Sequence, residues 1–163
     1  MQFLTLIAVF AAVASAAVLP RQNVNGNFSI TDFSISGSHY SDEIAYRFNV
    51  TDNQTSTRCN TTIASINITT IAPTCCEDDG TGVACQWKFS FLPVSSKAAD
   101  GYALNVTTYS PPSGPKTFDT ASVFINQDNI TTAGGETDPN GKWQYLDWPT
   151  DFTMPFYTYP RSG

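Results

Sequence analysis

The chain has 163 residues and carries fourteen Asp and Glu against eight Lys and Arg, for a formal charge of −6. Its basic residues are scattered singly from Arg21 to Arg161, which excludes the clustered positive face that a nucleic-acid partner requires. Residues 1–16 hold no charged side chain, run apolar from Phe3 to Val13 and end in Ala14-Ser15-Ala16, the pattern of a signal peptide. That run is shorter than the roughly 20 residues of a membrane span, and no later stretch approaches this length, so no membrane span is expected. The product is expected to be secreted and extracellular. Residues 17–26 read as an N-terminal tail or a short propeptide cut at Arg21, and residues 27–163 as one β-barrel domain.

From Asn27 onward the hydrophobicity alternates with period two and is never helical. Phe28, Ile30, Phe33 and Ile35 alternate on either side of Thr31-Asp32, where the phase slips by one and predicts a bulge. Ile44, Tyr46, Phe48 and Val50 alternate without a slip, and Asp52-Asn53-Gln54 reads as a turn. Ile63, Ile66, Ile68 and Ile71 fall in a Thr/Ile-rich strand region in which Ile66 and Ile68 place Asn67 on the opposite face. Cys85, Trp87, Phe89 and Phe91 form one face of a strand stopped by Pro93, and Tyr102, Leu104 and Val106 repeat the pattern.

The run from Ser110 to Pro115 cannot continue a sheet, because proline lacks the N–H of the ladder, and it reads as a rigid hairpin tip. Phe118 to Ile125 and Trp143 to Leu146 are further strands, with Asn140-Gly141 as a hairpin turn before the second. Pro155 and Pro160 confine the aromatic tail from Phe152 to Tyr159 to an edge or an extended strap. The expected class is all-β, a single antiparallel barrel or sandwich.

Sequons for N-glycosylation stand at Asn27, Asn49, Asn53, Asn60, Asn67, Asn105 and Asn129, none with proline in the middle. Their number agrees with export through a eukaryotic secretory pathway, and each occupied site must face solvent.

Cys59, Cys75, Cys76 and Cys85 are the four cysteines, which in an exported chain means two disulfides. Neighbours on an extended chain point to opposite faces, so Cys75 and Cys76 take different partners. Cys59–Cys75 with Cys76–Cys85 is the preferred pairing, because the second bridge then clips the acidic turn. Cys59–Cys76 with Cys75–Cys85 is the alternative. The spacing lacks the Cys-X2-Cys knuckles of a zinc site.

The leader, Arg21-Gln22 just after it, the strands Phe28–Ile35 and Tyr46–Val50, Cys59, the gap from Cys59 to Cys75 and the Phe89-Ser90-Phe91 strand together resemble the Alternaria major-allergen family of small secreted fungal proteins. The resemblance covers Asn27 to Phe91 and fades beyond Tyr109. It implies a β-barrel, no catalytic residues, and a role as an allergen, elicitor or effector that meets plant defence proteins. Members of that family carry an extra N-terminal cysteine that links a dimer, and a second bridge nearer the C-terminus. Here no cysteine precedes Cys59 or follows Cys85, so a covalent dimer is not expected.

Catalytic signals are weak. The single histidine, His39, sits in a Ser/Gly loop, and no Gly-X-Ser-X-Gly elbow is present. A carboxylate pair of the glycosidase kind needs a cleft that thin loops do not supply. Glu77-Asp78-Asp79-Gly80 has consecutive acids, unlike the alternating ligands of an EF-hand. No cofactor and no metal are expected.

The surplus is aromatic: Trp143, Tyr145, Trp148, Phe152, Phe156, Tyr157 and Tyr159 crowd the C-terminus. Trp143 and Tyr145 share a face, which is assigned to the core; Leu146 and Trp148 then need a covering. With no sequon after Asn129, the expected partner site comprises Trp148, Tyr157 and Tyr159. The sequence therefore reads as a binding protein whose partner is a plant extracellular defence protein or a small aromatic metabolite. A polysaccharide, for a carbohydrate-binding or cell-wall protein, is the alternative, and a small glycoside hydrolase comes last.

Overall fold

The structure, a computed structural model, describes residues 24–38, 40–53, 55–77, 85–95, 100–110, 114, 116–135 and 141–161. The leader, the tail to residue 23, His39, residues 78–84 and most of the proline-rich connector lie outside the described residues.

Among the described residues, ten strands make one antiparallel sheet: β1 (Gly26–Ser38), β2 (Ser41–Thr51), β3 (Ser56–Ala64), β4 (Ile71–Cys75), β5 (Trp87–Pro93), β6 (Tyr102–Tyr109), β7 (Thr117–Ile125), β8 (Ile130–Gly134), β9 (Lys142–Leu146) and β10 (Phe152–Pro160). Eight of them run in the order β3-β2-β1-β10-β7-β6-β5-β4, and β3 and β5 touch, so the sheet curls into a nearly closed barrel. The β8–β9 hairpin hangs from β1 through the pair Ser36 and Tyr145.

The period-two pattern is why these strands form and which face they bury. Phe28, Ile30, Ile44, Val50, Phe91 and Val106 are wholly buried, and the interior is largely aromatic. Phe33 contacts Phe48 and Phe152, Phe48 contacts Phe89, and Phe91 stacks on Tyr102 at 4.7 Å.

The slip at Thr31-Asp32 is a bulge. The β1–β2 register shifts between Thr31 and Ser34, and Asp32 takes φ = 54°, a left-handed conformation that Asp adopts more readily than most residues. At this point β1 changes partner. Its first half pairs with β10 through Ile30, and its second half meets β9 at Ser36.

The edges β3 and β4 are joined covalently. Cys59 on β3 is bonded to Cys76, Glu77 N–H donates to Arg58 O at 2.8 Å, and Thr57 Oγ1 donates to Glu77 O at 3.0 Å. Cys75 is bonded to Cys85. This overturns the preferred pairing in favour of the alternative. Adjacent cysteines do point to opposite faces, with Cys76 buried and Cys75 exposed. Strict alternation would have turned Cys85 inward with Trp87, toward Cys76. Instead Cys85 takes φ = 62° in a turn before β5 begins, which breaks the phase and leaves it opposite the outward Cys75.

A second departure concerns residues 65–70, which leave the sheet. Ile68 is buried, whereas Ile66 is 37% exposed, on the solvent side together with Asn67. The segment is held as a strap. Tyr46 Oη donates to Thr69 O at 2.8 Å and accepts from Thr69 N–H at 3.0 Å, Tyr102 Oη donates to Ile68 O at 3.3 Å, and Gln144 Oε1 accepts from Ile68 N–H at 2.8 Å. Burial pushes the Tyr46 hydroxyl up to about 12, and burial raises that of Tyr102 in the same direction.

Candidate functional site

The candidate site is on the outer face, which the register of β5, β6, β7 and β10 orders into rows. Leu92, Ala103 and Phe124 form an apolar row in which Phe124 is 51% exposed. Next comes a polar row of Ser90, Asn105 and Ser122, in which Ser122 Oγ donates to Asn105 Oδ1 at 2.8 Å. Lys88, Thr107, Thr120 and Tyr157 follow. The last row is Tyr109, Phe118 and Tyr159, direct neighbours on three adjacent strands and all half-buried.

Cross-strand aromatic neighbours are close enough to pack ring on ring. Phe118 and Tyr159 stack with centroids 5.4 Å apart and planes 19° apart, and Tyr109 lies 6.1 Å from Phe118. Lys88 Nζ and Arg161 Cζ each lie over the Tyr109 ring, 5.5 Å from its centroid. A sugar platform needs a free ring face. Here Phe118 and Tyr159 each turn one face to the other and two cations lie over Tyr109, so the row also offers ring edges, a hydroxyl on each tyrosine and positive charge.

The expected partner residues are therefore divided. Tyr157 and Tyr159 face outward on this wall, whereas Trp148 packs half-buried against the core, at right angles to Phe152 with centroids 6.4 Å apart. Phe152 and Tyr159 are seven residues apart on β10, so Trp148 and Tyr159 are separated by roughly 23 Å along the strand.

The face assignment of β9 is also corrected. Tyr145 is 37% exposed, while Leu146 and Trp148 pack on the core. The cause is the hairpin: Trp143 lies across Gly37 and Gly134, where any Cβ would meet its side chain. Of the expected Asn140-Gly141 turn only Gly141 is described, with φ = 69°.

Tyr109 and Phe118 went unnoticed in the sequence because they flank the proline-rich tip. Parity was the available signal: with Tyr102, Leu104 and Val106 inward, Tyr109 must face out.

The sequon asparagines sit on outer faces or connections. Asn27, Asn53 and Asn67 are exposed and Asn129 is half-buried. The Nδ2 atoms of three others are engaged: Asn49 with Asp32 Oδ2 at 2.7 Å, Asn60 with Glu77 Oε1, and Asn105 with Ser90 Oγ at 3.3 Å. Asn105 stands four residues from Tyr109 along β6, about 13 Å, so a glycan there would border the aromatic row. Among the described residues no group of three or more His, Cys, Asp or Glu side chains is placed to hold a metal ion.

Fold and surface together define a small antiparallel β-barrel closed by a disulfide, with its candidate site on the outside. The chain resembles the Alternaria alternata major allergen Alt a 1. Its crystal structure aligns over 85% of this chain and 98% of that chain, at 13% identity and a TM-score of 0.46. No protein-family model matches the chain, and no curated protein matches it in sequence.

Proposed function

We propose that the chain is a secreted, N-glycosylated, effector- or elicitor-like protein that acts by binding a plant extracellular protein and carries no catalytic centre. The observation that supports this most is the outer row Tyr109, Phe118 and Tyr159 with its two cations. Large rings on the outside of the barrel add nothing to its core, and Tyr and Arg are among the side chains enriched at protein interfaces. Two disulfides and a leader-like N-terminus fit an oxidising, extracellular setting. The plant setting comes from the resemblance noted in the sequence.

The test is capture from plant apoplastic fluid by the glycosylated protein, compared with Tyr157→Ala/Tyr159→Ala and with a reduced, unfolded sample. The double variant is expected to keep its far-ultraviolet circular dichroism and to lose at least tenfold of the capture. Equal capture by the folded double variant would move the recognition surface elsewhere.

A further inference from the structure

The opposite part of the sheet carries a different feature. The tight connection from Asp52 to Thr55, closed by Thr55 N–H to Asp52 Oδ1 at 2.6 Å, fixes the β2–β3 register so that Arg47 faces Asn60 and Asn49 faces Arg58. Arg47 and Arg58 are thereby diagonal neighbours on the outer face, with Cβ atoms about 7 Å apart. Both are exposed. Neither guanidinium has a hydrogen-bond or ion-pair partner among the described residues. In a chain with fourteen acidic side chains to eight basic, two adjacent unpaired arginines are unexpected.

They line a shallow depression of about 330 Å³ with Asp32, Ser34, Asn49 and the Phe48 backbone strand position. Asp32 is the one acid in it, and its Oδ2 is already held by Asn49 Nδ2 at 2.7 Å. Two flanking carboxylates are engaged elsewhere, Glu77 by Asn60 Nδ2 and Asp151 by the Asp32 N–H. The lining thus sums to one net positive charge, with a hydroxyl at Ser34 and carboxylate and amide groups at Asp32 and Asn49.

We propose that this depression binds a carboxylate carried on a hydroxylated frame, the chemistry of a sugar acid. The two planar guanidiniums take the carboxylate, which Arg recognises through paired N–H donors. Asp32 and Ser34 take the ring hydroxyls, which gives a neutral sugar no equivalent hold and leaves a dianion with one charge unmatched. The volume is at the lower end for ligand sites and suits one such ring. A site this open binds weakly, with Kd on the order of 0.1–1 mM. This inference is independent of the aromatic row, since it rests on other strands and another ligand.

A glycan on Asn49 would stand over the depression, so the test uses the full mature chain with Thr51→Ala, which removes that sequon and leaves Asp32, Asn49 and both arginines in place. Calorimetric titration with galacturonate, trigalacturonate and glucose reads the site. Galacturonate is expected to bind, glucose is not, and Arg47→Ala or Arg58→Ala is expected to weaken galacturonate by about tenfold without changing Tm. Equal affinity for the monomer identifies a free acid as sufficient, and at least tenfold tighter binding of trigalacturonate identifies the polymer as the source; both support the site. Binding that neither arginine variant changes, or that glucose matches, or no binding of either acid at 10 mM (~10 mM being well above the expected Kd), overturns it.

Discussion

On the wall built by β5, β6, β7 and β10, Lys88 and Arg161 lie over the ring of Tyr109, whereas on the wall built by β1, β2 and β3, Arg47 and Arg58 have no hydrogen-bond or ion-pair partner among the described residues and stand around a depression. The same barrel thus holds its cations in two ways. Cations that cover a ring are part of the packing and contribute to stability. Cations held apart by strand register contribute almost nothing to it, and are available to a ligand. Outward-facing charge is therefore not one kind of surface, and local partners separate the two kinds.

The walls are joined at three places: the β1–β10 ladder, the Cys59–Cys76 seam, and the strap 65–70, gripped by Tyr46 from one wall and Tyr102 from the other. Cutting the seam should have the largest effect. Cys59→Ala/Cys76→Ala is expected to lower unfolding free energy by about 3 kcal/mol or more, since it releases a closed loop and bares the β3 and β4 edges. Cys75→Ala/Cys85→Ala opens a shorter loop and leaves the seam intact, so a loss of about 2.5 kcal/mol is expected. Denaturant unfolding of both pairs checks the order, and a larger loss from the second pair would contradict the seam's role.

Alkaline pH loosens the strap. The folded-state pKa of Tyr46, about 12, lies above the ordinary tyrosine value of 10.0, so the stability it contributes is complete below about pH 10 and lost as pH rises toward about 12. The expected loss is of order 1–3 kcal/mol, with Tyr102 adding in the same direction. Tyr46→Phe should flatten this decline while costing about 1–3 kcal/mol at neutral pH, because Thr69 N–H and O lose their partner. Thermal unfolding between pH 8 and pH 12 (~8 to ~12, spanning the tyrosine range) reads both effects.

The smallest effects sharpen the contrast of the walls. Tyr109→Ala should cost about 1–2 kcal/mol, from lost ring packing and two cation–ring contacts. Arg47→Ala and Arg58→Ala should each stay within about 0.5 kcal/mol of the parent. Similar losses at all three positions would erase the distinction.

Much of the barrel was legible from parity alone, because one buried face forces strict alternation. The bulge at Asp32 and the inward faces of β1, β2, β5 and β6 follow from it directly. Parity failed where the chain leaves the strand conformation: at Cys85, whose left-handed φ takes it off the face of Trp87, and at residues 65–70, where a strap replaced a strand. The preferred disulfide pairing failed separately, because a bridge from either Cys75 or Cys76 to Cys85 clips the acidic turn. The β9 face was misassigned because its orientation depends on a hairpin seated over Gly37, a tertiary contact with no local signature. The arginine pair was within reach, since the turn at Asp52 sets the register. Reading basic residues one at a time along the chain hid it.

The proposed division of the barrel into a protein-contacting wall and a separate acid-binding wall is tested most directly by footprinting. A captured apoplastic partner is bound to the folded, glycosylated protein, and hydroxyl-radical labelling is compared with and without it. Tyr109, Phe118, Tyr157 and Tyr159 are expected to lose labelling while the exposed side chains of the β1–β3 wall stay unchanged. Protection confined to the β1–β3 wall, with the aromatic row labelled as in the free protein, would contradict the account.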